Sequence, residues 1–283
     1  MELWFNEKHT GNVQFSIKIN KQLFSQNTFF QRIDIFDSLD FGRCLILDGS
    51  LMFSEKDEFV YHEMIVHTPM AVHPCINDVL VIGAGDGGVI KELCKYDSIK
   101  HIDLVEMDEV LIEAAKKYLP NSSGSFDDER VNIIISDGLK YVRKCEDQYD
   151  LIIVDSPDPF GPAEALFTKE FYGNCYKALR ADGIMVNQQE NPFYETNMHA
   201  MQKVHKNIIK TFEVCKVYQA HIPTYPSGHC LFGFASKKYH PLKDIKENKW
   251  QALNIETRYY NTNLHKGAFY LPNFVTELLL DVE

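Results

Sequence analysis

From position 78 onward, apolar residues gather in short, nearly unbroken runs, each followed by a stretch with helical spacing. Val79-Leu80-Val81-Ile82 precedes a helical pattern over 89–96, and Ile102-Asp103-Leu104-Val105 precedes one over 109–119 that Pro120 stops. The apolar run 131–135 precedes helical 139–145. Leu151-Ile152-Ile153-Val154 precedes helical 169–179, with Gly183 just beyond. Strands apolar on both faces and alternating with helices predict an α/β domain, a Rossmann-like parallel sheet covered on both sides. The pattern ahead of it is different. Positions 13–19 and 33–36 alternate apolar and polar, and the apolar runs 44–47 and 50–53 flank Asp48-Gly49, a hairpin dipeptide. Such local pairing predicts a small antiparallel β domain over residues 1–56, and a helix over 57–70 opens the larger domain, 57–283. The Ser- and Asp-rich stretch 121–128 reads as a loop.

Composition narrows the function classes. The net charge is −11, which disfavours nucleic-acid binding because phosphate contacts need a basic face. An acidic field instead attracts cationic ligands. No run approaches the roughly 18–20 apolar residues that span a bilayer. Residues 1–7 lack a basic region followed by an apolar core, so a cytoplasmic protein with no membrane partner is expected. The 7 cysteines are scattered and contain no C-x-x-C pair, which argues for reduced thiols rather than disulfides or a zinc site.

The chemistry concentrates at the ends of the predicted parallel strands. Gly83-Ala84-Gly85-Asp86-Gly87-Gly88 is a G-x-G-x-x-G loop between a strand and a helix, the context in which such a loop admits a nucleotide. Glu106, at the end of the next strand, suits the two hydroxyls of a ribose. A dinucleotide enzyme places pyrophosphate against this loop, where the carboxylate of Asp86 would repel it. Asp86 suits an amine-bearing ligand instead. Asp137-Gly138 ends the third strand, where the Asp can read an adenine edge or cap the following helix. Three acids at successive strand ends point to a site of S-adenosylmethionine type rather than a nicotinamide site. The fourth strand ends in Asp155-Ser156-Pro157-Asp158, and carboxylates three residues apart can grip an ammonium or take its proton. His62 and His67 stand five apart, off a shared helix face, so they do not form a zinc pair.

The ordered set of these motifs resembles the polyamine aminopropyltransferases, the spermidine synthase family, along nearly the whole chain. The resemblance is carried by Leu47-Asp48-Gly49, the segment from Glu55 to Met64, the glycine loop with Gly83 and Gly85, Val105-Glu106-Met107-Asp108, and Asp137-Gly138. It continues through residues 155–162 with Leu166-Phe167, Ile222 to Gly228, and Arg258-Tyr259-Tyr260-Asn261. It implies a methyltransferase-type Rossmann domain behind a small β domain, and a homodimer or homotetramer. It implies transfer of the aminopropyl group of decarboxylated S-adenosylmethionine, a co-substrate, to putrescine, giving spermidine and methylthioadenosine. By the same resemblance Gln31, Glu106, Asp137, Gly138 and Pro162 hold the adenosine part of the donor. Asp86 and Asp155 hold the amine at the reacting centre, Tyr61, His62, Asp158 and Tyr225 line the diamine channel, and Asp155 is the proton acceptor. The donor sulfonium is already activated, so neither a metal nor a further cofactor is expected. Three positions depart from the family pattern. Ala84 stands where many members have glycine, Met52 where many have Gln, and His62 where some have Gln. Two readings stay open beside this one: a small-molecule methyltransferase using S-adenosylmethionine, and a non-catalytic polyamine-binding protein.

Overall fold

The fold is that of a computed structural model, which describes residues 2–156 and 161–282. The first five strands, β1 (Leu3–Lys8), β2 (Gln14–Asn27), β3 (Arg32–Ser38), β4 (Gly42–Leu47) and β5 (Ser50–Ser54), pair in sequence order as one antiparallel sheet. This is the local-hairpin architecture that the alternating pattern predicts. The sheet also reaches further than that pattern, since β2 runs for 14 residues and β1 pairs along its first half. Asp48 and Gly49 both take positive φ, 50° and 88°, the hand that a tight two-residue hairpin turn requires.

Helix α1 (Glu58–Met70) follows. It is buried on almost every side from Val60 to Pro69, so it shows no amphipathic stripe. Asp57 precedes it without capping it, because its carboxylate is engaged elsewhere: one oxygen accepts from the Ser54 hydroxyl at 2.6 Å, and the other accepts from Thr224. Then come β6 (Asp78–Gly83), α2 (Gly88–Leu93), β7 (His101–Glu106), α3 (Glu109–Tyr118), α4 (Pro120–Ser123), β8 (Val131–Ile135), α5 (Gly138–Val142), β9 (Tyr149–Asp155), α6 (Lys169–Ala178) and β10 (Leu179–Gln188). The chain ends with α7 (Glu195–Ile208), β11 (Val214–His221), β12 (His229–Ser236), α8 (Glu247–Gln251), α9 (Thr262–Ala268) and α10 (Asn273–Leu280).

The second sheet has the order β11-β12-β10-β9-β6-β7-β8. Its strands from β10 to β8 run parallel, and β12 pairs antiparallel with both β10 and β11. The order reverses at β6, whose neighbours are β9 and β7, and ligands of open α/β sheets bind at such a switch point. One continuous core joins the two sheets. Ile33, Ile35 and Leu45 of the first meet Met64 and Ile65 of α1 and Val79 and Val81 of β6, all at most 1% exposed. The first sheet therefore roofs the C-terminal ends of the parallel strands.

The stretch 121–128 is not the expected loop. It forms α4 and a 3-10 turn over Gly124–Asp127. Pro120 takes the first helical position, where the missing N–H costs nothing. The hydroxyls of Ser122 and Ser123, polar in composition but buried, bond back to the carbonyls of Asp86, Ala115 and Leu119.

Candidate active site

A cavity of about 430 Å³ lies at the switch point, between the parallel strand ends and the first sheet. Its geometry starts from backbone. Gly83 has φ +86°, and the amide of Ala84 donates to the carbonyl of Asp155 at 2.9 Å. A Cβ on Gly83 would lie 1.8 Å from that carbonyl oxygen, so only glycine lets the loop close onto β9. Ala84 also takes positive φ, 61°, which an alanine adopts at some strain. The departure at position 84 is therefore not neutral, because the glycine common in the family would be relaxed there. Asp86 accepts the amide of Gly88 through Oδ1 at 2.7 Å, and this turns its carboxylate into the cavity.

The acids at the strand ends are set differently. Glu106 Oε1 accepts the amides of Met107 and Asp108 at 2.8 and 2.9 Å. Its Oε2 faces Gly85, 3.2 Å from where a Cβ would stand there. Burial pushes the Glu106 carboxyl up to about 7 against the pull of those two amides. Asp137 caps α5 through the amide of Lys140 at 3.0 Å and lines the cavity as well. Asp155 accepts the Tyr61 hydroxyl on Oδ1 at 2.7 Å. Its Oδ2 is buried with no hydrogen-bond partner among the described residues. Burial, and then the neighbouring charge of Asp86, push Asp155 up to about 6. Burial also raises the Tyr61 hydroxyl, with Asp155 adding to it, so Tyr61 stays a hydrogen-bond donor.

The structure brings eleven of the thirteen expected residues together around the cavity. Gln31, Gly83, Gly85, Glu106, Asp137 and Gly138 line it, as do Tyr61, His62, Asp86, Asp155 and Tyr225. Asp158 lies outside the described residues. Pro162 falls in the 3-10 segment Gly161–Phe167, and its side chain is likewise outside the description. Gln31, in the connection between β2 and β3, is held by Asp108, which accepts its Nε2 at 3.1 Å and the Thr28 hydroxyl at 2.8 Å. Tyr225 donates to the carbonyl of Met52 at 2.9 Å, and its neighbour Thr224 is tied to Asp57 through both amide and hydroxyl. His62 offers Nε2 toward Asp86 Oδ1 at 3.4 Å. His67 points elsewhere, to Glu92 and Tyr96, so the two histidines serve different neighbourhoods.

Several cavity residues escape sequence reasoning. Gln188, Glu190 and Asn191, at the end of β10, come from a part of the chain without a legible motif. The supporting residues Asp57 and Asp108 act across long sequence separations. Only Glu58 carries a usable signal, because it stands four residues before His62 on a helix.

Seven carboxylates line the cavity: Glu7, Asp48, Asp86, Glu106, Asp137, Asp155 and Glu190. No Lys or Arg does so among the described residues. Ligand atoms of His62, Asp86 and Asp155 lie within 4.8 Å of one another. Such a site concentrates negative potential and favours cationic ligands.

Comparison with known proteins agrees with this geometry. The family model described as "Spermine/spermidine synthase domain" matches residues 58–247, and that described as "Spermidine synthase tetramerisation domain" matches residues 3–55. The polyamine aminopropyltransferase of Alkaliphilus oremlandii is 58% identical over 99% of this chain and 98% of its own length. That of Clostridium botulinum (strain Eklund 17B) is 60% identical over the same shares. Among solved structures, a spermidine synthase in complex with the transition-state analogue AdoDATO superposes with a TM-score of 0.95 at 45% identity, covering 98% of this chain and 94% of that one. The spermidine synthase from Thermotoga maritima superposes with a TM-score of 0.94 at the same identity and coverage. With motifs, fold and cavity all in register over its full length, the chain belongs to the spermine/spermidine synthase family, the polyamine aminopropyltransferases.

Proposed function

We propose that this protein is a spermidine synthase, moving the aminopropyl group of decarboxylated S-adenosylmethionine onto putrescine. The observation that carries the reading is the cavity lining of seven carboxylates without Lys or Arg among the described residues. Both substrates are cationic. Intact S-adenosylmethionine carries an α-carboxylate, which the acidic lining would repel. That disfavours the methyltransferase alternative. A purely binding protein would have no need of a raised, unpartnered carboxylate oxygen at the centre of the site.

In this reading Glu106 holds the ribose, and Gln31, Asp137, Gly138 and Pro162 flank the rest of the adenosine over the glycine loop of Gly83 and Gly85. Asp86 holds the aminopropyl ammonium. Putrescine lies along Tyr61, His62, Asp158 and Tyr225. Its amines have pKa values near that of lysine, about 10.4, so it arrives as a dication and must lose one proton before it can attack. Asp155 Oδ2 takes that proton while the Tyr61 hydroxyl holds Oδ1 in place. The freed nitrogen forms its bond to the propyl carbon next to sulfur. The C–S bond breaks, its electron pair stays on sulfur, and the sulfonium becomes the neutral thioether of methylthioadenosine. Fixing both ends of the diamine sets the reach of the attacking nitrogen, which is catalysis by positioning. No cofactor takes part, because the donor is consumed.

The same reading extends to organisation. The boundary between an N-terminal domain, 1–56, and a catalytic domain, 57–283, follows the change of sheet. Assembly as a homodimer or homotetramer through the first sheet would cover Leu3 and Trp4 of its edge strand, each about half exposed. Among the described residues no helix is long and apolar enough to cross a membrane, and a cytoplasmic location is proposed. The test is Asp155→Asn. Turnover falls roughly 10²-fold or more, the range of a lost general base, with methylthioadenosine affinity retained. Wild-type turnover in a folded variant would refute the assignment.

A further inference from the structure

One arrangement behind the cavity takes no part in that mechanism. Glu58 opens α1 four residues before His62, and its Oε2 lies 2.6 Å from His62 Nδ1. Its other oxygen, Oε1, receives the Nζ of Lys91 at 2.8 Å. Lys91 belongs to α2, the helix that the glycine loop opens, so the pair ties the helix bearing His62 to the loop bearing Asp86. Neither Glu58 nor Lys91 lines the cavity. The Glu58 side chain is only 9% exposed, and burial of a carboxylate requires partners of this kind.

The imidazole is held as closely as its partners. A Cβ on Gly88 would lie 2.0 Å from His62 Cε1, so the ring sits flat against the glycine loop. The Tyr61 ring meets it edge-on at 5.5 Å, and Phe53 packs at 6.3 Å. With Nδ1 committed to Glu58, Nε2 is the nitrogen that faces Asp86, 3.4 Å from its Oδ1. A flipped ring would turn carbon toward Glu58 and leave a buried carboxylate oxygen without a donor, which burial penalises.

We propose that Glu58 and Lys91 are positioning residues for the transfer: they fix the His62 ring, with Nε2 turned toward Asp86, as a wall of the putrescine end of the cavity. This rests on the reading of His62 as lining the diamine site. Glu58 acts only through His62, as the partner of a ligating histidine fixes its orientation. Lys91 keeps the Glu58 carboxylate turned toward the ring rather than toward solvent. The charged groups facing His62 support the same arrangement. Burial works against an imidazolium, but Asp86 from the loop and Glu58 from its own helix override it and raise His62 well above its ordinary value. His62 and Lys91 hold Glu58 down at about 2 against the opposing effect of burial. Asp155 and Tyr61 complete the surroundings.

The test is a double-mutant cycle of Glu58→Gln and His62→Gln, with steady-state kinetics for putrescine and for the donor, and ¹⁵N spectra of the histidine rings. Glu58→Gln is expected to raise the putrescine KM about 10- to 100-fold, the range seen when the partner of a ligating group is removed. The donor KM stays near wild type, the His62 ring signals lose their Nδ1–H pattern, and Glu58→Asp restores part of the loss. The double variant is no worse for putrescine than His62→Gln alone. If Glu58→Gln does not fold, Lys91→Met, at a side chain 27% exposed, is expected to raise the putrescine KM several-fold with the same change in the ring signals. Unchanged putrescine KM and ring signals in a folded variant would overturn the proposal, as would additive effects in the cycle. Asp155→Asn measured alongside separates the two claims, since its failure to slow turnover would remove the base assignment and leave the coupling of Glu58 to His62 intact.

Discussion

The pH dependence of putrescine use tests the chemistry at Asp155 directly. A buried carboxyl raised to about 6, by burial and then by Asp86, favours its protonated form in the folded protein. The base is therefore present above pH 6 and lost as pH falls through it. At pH 7 about nine-tenths of the carboxyl is ionised and at pH 5 about one-tenth, so kcat/KM for putrescine drops roughly tenfold between them. His62 is raised by Asp86 and Glu58 over the opposing effect of burial, so its charged form is favoured. Glu106 titrates near 7, so the profile must be taken at saturating donor, where donor contacts hold its carboxylate ionised. The substrate supplies the discriminating limb. With amine pKa values near 10.4, the dication is essentially the whole population from pH 5 to 8, and its free-amine fraction grows about tenfold per unit. An enzyme that binds the dication and deprotonates it with Asp155 shows a rise to about pH 7 and then a plateau. An enzyme that merely waits for free amine shows a tenfold rise per unit that continues past pH 8. The assay is initial-rate formation of methylthioadenosine at limiting putrescine in constant-ionic-strength buffers. A continuous rise with no break near 6 would refute the reasoning.

Two further expectations rest on the scaffold. Gly83→Ala places a Cβ 1.8 Å from the Asp155 carbonyl oxygen at φ +86°; left-handed strain and overpacking together cost about 3 kcal/mol, lowering Tm by roughly 6–12 °C in calorimetry and displacing Asp155 enough to cut turnover. Asp57→Asn exchanges a buried carboxylate that accepts from Ser54 and from both amide and hydroxyl of Thr224 for an amide that cannot accept all three. It should cost about 2 kcal/mol in denaturant unfolding and raise the putrescine KM by loosening Tyr225, while leaving methylthioadenosine binding unchanged; unaltered stability would contradict the bonding described.

The parallel strands were legible because burial on both faces leaves continuous apolar runs, and Val79–Ile82 and Leu151–Val154 carry them without interruption. The acids at their ends were legible because strand order alone places them at one edge. The Ser-rich stretch after Pro120 was misread because hydroxyls that bond to nearby carbonyls look the same in sequence as hydroxyls in water. The strain at Ala84 was not legible because φ is invisible in a residue name. Gln188 and Glu190 escaped because they end and follow an ordinary strand, and only the pairing of β10 between β9 and β12 brings them to the cavity. The Glu58–His62 contact sits at a legible i, i+4 spacing, yet Lys91 and the seat on Gly88 come from another helix.

The most direct measurement is product analysis. The purified protein is incubated with decarboxylated S-adenosylmethionine and a panel of putrescine, cadaverine, agmatine and spermidine, beside the Asp155→Asn variant. The account predicts spermidine and methylthioadenosine in equal amounts from putrescine, and a loss of roughly 10²-fold or more in the variant. Methylthioadenosine without any aminopropylated amine, or transfer that survives intact in Asp155→Asn, would contradict it.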